Sequence, residues 1–69
     1  MNPGPRIRQL RLDAGLTQRQ LADSTGIDMS NLSRIETGAT EATVPTLRRI
    51  ATALDVSLPA LFAADGAAT

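Results

Sequence analysis

Apolar residues along this chain recur at helical spacing, and no alternating run long enough for a strand survives. The first segment, about residues 5–14, sets Ile7, Leu10 and Ala14 at i, i+3 and i+7, and Gly15 stops it as a C-terminal glycine should. The second opens on "LTQRQLA". Thr17 is an N-cap, Gln20 three places on completes a capping box, and Leu16 with Leu21 has the spacing of a hydrophobic staple. It runs to Ser24 or Thr25 and turns at Gly26. The third repeats the grammar: Asp28 caps, Ile27 and Leu32 form the staple, and Gly38 follows an end near Thr37. Its carboxylate cap also suits the positive end of the helix dipole.

After "GATEAT", Thr43 caps a fourth segment with Pro45 in its first turn. Its apolar stripe is Val44, Leu47, Ile50, Ala51 and Leu54. "VSLPALF" predicts a short fifth helix capped by Ser57, with Pro59 in its first turn and Val56 and Leu61 as staple. The pattern therefore predicts an all-α, compact five-helix domain over residues 1–64 and a short flexible tail over 65–69, "DGAAT" being the last of a stretch with nothing to pack.

Composition narrows what such a domain does. A 69-residue chain buries only roughly 60% of its unfolded surface, so its core is thin. With Phe62 the single aromatic, that core is aliphatic. No cysteine or histidine is present, which removes disulfides, thiolate chemistry and the usual metal ligands, and no cofactor is expected. An enzyme is a poor reading. The chain lacks a general base that works near neutral pH, Asp23 and Asp28 fall on different helices, and no serine sits in a G-x-S-x-G elbow. No signal-peptide run opens the sequence and no span-length apolar segment follows, so the expectation is a soluble, cytoplasmic protein.

Formal net charge is zero, with all seven basic residues arginine. Through Gly38 the balance is +1 and beyond it −1, so neither half is a polycation. A nucleic-acid reader usually carries a basic face. Any DNA reading of this chain must therefore rest on the arrangement of a few groups.

That arrangement lies in the two short helices joined through "TGID", the sequence form of a helix-turn-helix. "LTQRQLADSTGIDMSNLSRIETG" followed by "VPTLRRIATALDVSLPALF" resembles the lambda-repressor/Cro-like (XRE) helix-turn-helix family over about residues 6–62. At about 100° per residue, Met29, Ser30, Ser33 and Arg34 of the third helix fall within a sector about 140° wide, with Leu32 and Ile35 opposite. In the helix-turn-helix mode such a helix lies in the major groove and reads base edges. Arg34 suits guanine O6 and N7, Ser30 and Ser33 a base or a phosphate, and Met29 a thymine methyl. Asn31, at the edge of the sector, suits adenine or a phosphate.

The resemblance further implies phosphate contacts by Gln18, which can also brace the third helix, with Thr17 and Arg19 in the same patch. The free amides at the start of the second helix supply the physical ground. The start of the fourth helix, with Thr43, Val44 and Thr46, suits the other backbone, and Thr37 and Thr40 add hydroxyls. The family pattern also implies a buried salt bridge between Arg11 and Glu36. Where family loops after the third helix often carry Lys or Arg, this one brings Glu41, so non-specific DNA affinity is expected to be weak.

Two copies on a two-fold site would double the contacts, which points to a homodimer; Leu58 and Phe62 are the candidate contacts, with Leu61, Val56 and Leu54 nearby. The implied function is a sequence-specific double-stranded DNA-binding transcriptional regulator without a small-molecule ligand. The alternative is a protein-interaction module or antitoxin-like adaptor on the same fold, which neutral charge and Glu41 favour.

Overall fold

A computed structural model of the chain describes residues 2–62. It contains four α-helices, α1 (Gly4–Asp13), α2 (Gln18–Thr25), α3 (Met29–Thr37) and α4 (Val44–Ala53), closed by a single 3-10 turn, Leu58–Phe62. No strand occurs among the described residues. The expected fifth α-helix is thus a 3-10 turn of five residues. Its bonding starts at the backbone carbonyl of Ser57, which accepts the Ala60 N–H at 3.1 Å. Pro59 brings no N–H to a segment too short to repay an α-helical nucleus. The 65–69 tail lies outside the described residues.

Local hydrogen bonds fix the helix ends. In α2 the capping box is complete: Gln20 N–H donates to Thr17 Oγ1 at 3.0 Å and Thr17 N–H to Gln20 Oε1 at 2.9 Å. Asp28 Oδ2 accepts from the amides of Ser30 at 3.0 Å and Asn31 at 3.4 Å, starting α3. Thr43 Oγ1 accepts from Thr46 N–H at 3.4 Å at the head of α4. Gly26 and Gly38 end α2 and α3 in the left-handed region, at φ 73° and 83°. At the end of α4, Asp55 takes that conformation instead, at φ 58°.

Ile7, Leu21, Leu32, Ile50 and Leu61 are fully buried, one from each element, and Ile35, Leu47, Ala22, Ala51 and Leu54 complete the core. Two expected core positions are not in it. Ala14 is exposed just beyond α1, where Arg11 occupies the inward face instead. Val44 is 53% exposed because the first turn of α4 projects past the core, which begins at Leu47.

Gly4 supplies a contact that the pattern does not announce. A Cβ there would collide with the Ile35 carbonyl oxygen and stand 2.8 Å from that of Glu36. The start of α1 therefore lies directly on the backbone of α3, as only glycine permits. α1 and α2 both pack against α3, and α2 also packs against α4.

Candidate nucleic-acid interface

α3 has one face sunk among its neighbours and one left in solvent. Inward, Leu32, Ile35 and Glu36 are buried. Glu36 is held by charge and hydrogen bonds together. Arg11 Nε donates to its Oε2 at 2.8 Å, Arg11 Nη2 to its Oε1 at 3.2 Å, and Gln18 Nε2 to the same Oε1 at 3.2 Å. Arg11 also donates from Nη1 to the Leu16 carbonyl at 2.8 Å. A buried carboxylate is expensive unless paired and fully hydrogen-bonded. Here three elements, α1, α2 and α3, meet that demand at one point. The expected Arg11–Glu36 bridge is present, with both side chains almost completely buried.

Outward, Met29 is 42% exposed. Ser30, Asn31 and Arg34 are exposed and Ser33 is half-buried. Arg34 takes part in no ion pair among the described residues. The five residues expected to read bases thus share one helix, Ser33 being the least accessible of them. The outward ridge offers a guanidinium, a carboxamide, two hydroxyls and a thioether on a helix whose axis the Glu36 cluster fixes.

The residues expected to hold phosphates are in a different condition. Thr17 Oγ1 is engaged in the α2 cap. The Gln18 carboxamide donates to Glu36, which is the bracing role, and leaves its oxygen and a second N–H. Thr37 donates its hydroxyl to the Arg34 carbonyl at 3.2 Å, and Thr43 and Thr46 share a hydroxyl–hydroxyl bond of 3.0 Å. Thr40 is half-buried, while Arg19 is exposed and free of ion pairs among the described residues. Most of these side chains are spent on organising helix ends. What remains for an anion is the backbone N–H groups of those ends, together with Arg19, the Thr40 hydroxyl and the second Gln18 amide N–H.

A second surface feature was not visible in the residue pattern. A groove of about 480 Å³ runs beside the α3–α4 loop, with Pro3, Ile35, Ala42, Val44, Leu47 and Phe62 as its apolar lining and Glu41 among its polar residues. Phe62 is 38% exposed there, whereas Leu58 is half-buried against the core and Leu61 is fully buried. Of the two expected dimer contacts, Phe62 is therefore the freer. Among the described residues no cluster of acidic side chains could hold a metal ion, and no helix is long and apolar enough to cross a membrane.

Comparison with known proteins gives the family of the chain. A family model described as "Helix-turn-helix" matches residues 7–61. The HTH-type transcriptional regulator SutR of Escherichia coli K12 is 35% identical over 63 residues, covering 91% of this chain. This chain spans only 35% of the length of SutR. The SPbeta prophage-derived HTH-type transcriptional regulator YopO of Bacillus subtilis 168 is 38% identical over 61 residues, covering 88% of this chain and 87% of that protein. Among solved structures, SinR, a master regulator for biofilm formation crystallised in complex with DNA, superposes with a TM-score of 0.82. The two share 33% identity, and the match covers 87% of this chain and 97% of the SinR chain in that structure.

Proposed function

Since the chain belongs to the XRE-type helix-turn-helix family, we propose that it is a transcriptional regulator that reads a specific double-stranded DNA site with α3 in the major groove. The observation that carries this reading is the contrast across α3: Met29, Ser30, Asn31 and Arg34 stand in solvent on a helix anchored from behind by Arg11, Gln18 and Glu36. Groups without internal partners can bond base edges without first breaking protein contacts, and a fixed helix axis sets their register. Arg34 takes a guanine, Ser30, Asn31 and Ser33 take neighbouring bases or phosphates, and Met29 meets a thymine methyl.

Backbone contacts come from the helix starts. Amides near Thr17 and Gln18, with Arg19, hold one strand, and those near Thr43 and Thr46, with the Thr40 hydroxyl, hold the other; the Thr37 hydroxyl is already donated to the Arg34 carbonyl. Because these are mostly dipolar contacts, few counterions are released and sequence-independent binding is weak.

Weak grip by one copy makes pairing worthwhile. The chain acts as a homodimer in which the exposed Phe62 of each copy seats in the other's groove beside Val44 and Leu47. This isologous arrangement needs knob and hollow on one patch, and the groove provides both. The regulator works in the cytoplasm by occupying its site, without catalysis.

Selection of bound duplexes from a random pool tests this. An enriched inverted repeat with half-sites about one helical turn apart is expected, with retention falling only shallowly as salt rises because few phosphates are neutralised by side-chain charge. A protein that retains no duplex at low salt and high concentration overturns the assignment and leaves a protein-binding module.

A further inference from the structure

We propose that Asp28 is a specificity-determining residue whose free carboxylate oxygen accepts a hydrogen bond from the exocyclic amino group of a cytosine in the major groove. The inference rests on the DNA-reading role of α3 and adds a sixth reader to its outward ridge.

Capping uses only half of this side chain. Oδ2 takes both amides, from Ser30 and Asn31, while Oδ1 has no partner among the described residues. The residue is exposed and directly precedes Met29 and Ser30. It therefore stands at the amino end of the helix, the end that reaches base edges in this docking mode.

The other side-chain caps in the molecule show that a charge is not needed for the capping task. α2 and α4 are capped by the neutral hydroxyls of Thr17 and Thr43, and Ser or Asn caps about as well as Asp. Only the helix facing DNA carries a carboxylate. No cation pairs with it among the described residues. Set against a rail of phosphates, an unpaired negative charge weakens binding to every sequence alike unless a donor meets it. In the major groove cytosine presents an N4 amino donor there, whereas guanine shows O6 and N7 and thymine O4, all acceptors that repel a carboxylate. Adenine offers its N6 donor beside the N7 acceptor and is second best. SinR, similar in fold to this chain, has been crystallised in complex with DNA.

The test is duplex selection from a random pool with the wild-type full chain, Asp28→Asn and Asp28→Ser. Both variants keep a good cap, so melting temperatures should barely move. The wild type is expected to favour cytosine over guanine about tenfold at one position in each half-site. In Asp28→Ser that preference should fall to about twofold, and in Asp28→Asn it should move to adenine, whose N6 and N7 suit a carboxamide. The rest of the motif should be unchanged. An identical motif in all three proteins, with affinity raised uniformly in the variants, would overturn the inference while leaving the DNA reading intact. A wild type that enriches no motif overturns both.

Discussion

Glu36 and Arg34 stand two residues apart on α3 and live under opposite conditions. The carboxylate is buried and engaged by donors from two other helices, while the guanidinium lies in solvent without an ion partner among the described residues. The same division runs the length of the helix, with Leu32 and Ile35 on one side and Met29, Ser30 and Asn31 on the other. In so small a domain one helix must both complete the core and present the reading surface. The two tasks are kept apart by giving the inward face every internal contact and the outward face almost none. Stability and sequence preference should consequently respond to different substitutions, and this separation can be broken at named positions.

Glu36→Ala should have the largest effect. It strands the buried Arg11 guanidinium and removes the acceptor of Gln18, at a cost of about 3–5 kcal/mol. Domains of this kind have roughly 5–15 kcal/mol in total, so a large drop in the urea midpoint is expected, with the motif unchanged in whatever fraction stays folded. An unaltered midpoint would show that the inward cluster does not hold the helix. Gly4→Ala comes next. The added methyl must displace the α3 backbone at Ile35 and Glu36, costing about 1–3 kcal/mol as overpacking does. Because the strain falls on the helix axis itself, affinity for the selected site should drop as well, once measured at a temperature where the variant is fully folded.

Arg34→Ala probes the other face. Thermal melting should stay within about 0.5 kcal/mol of wild type, as for most exposed substitutions. Discrimination at one guanine should fall by about 1–3 kcal/mol, read by competition between duplexes differing at that base pair. A change in melting without a change in discrimination would reverse the two faces.

The same division explains which features were legible in the residue pattern. Caps and stops close through bonds spanning about four residues, so Thr17–Gln20, Asp28, Thr43 and the glycines at 26 and 38 could be read along the chain, and the family resemblance supplied Arg11–Glu36. The outward ridge was legible because a helical wheel needs only the period. Features set by how elements meet were not. The close seat of Gly4 on α3 shows only once Ile35 is seen against it, and Val44 reads as core until α4 is seen to overshoot. Ser57–Phe62 has the signals of a helix start, yet the chain closes on the core in one 3-10 turn. Phe62, the single aromatic, stays 38% exposed while Leu61 fills the core.

Gln18 belongs to both regions, which makes it the finest test of their separation. Its side chain reaches inward to Glu36, while its backbone begins α2 at the proposed phosphate contact. Gln18→Ala removes one hydrogen bond from a carboxylate that Arg11 still holds at both oxygens. No charge is stranded, and the expected loss of stability is only about 0.5–1.5 kcal/mol. DNA affinity should fall by a similar small amount for every sequence, since a phosphate contact positions without specifying. The preferred motif should stay as it was. If base preference shifts instead, the Glu36 cluster is steering the outward ridge and not merely supporting it, and the two faces of α3 are coupled through this one carboxamide.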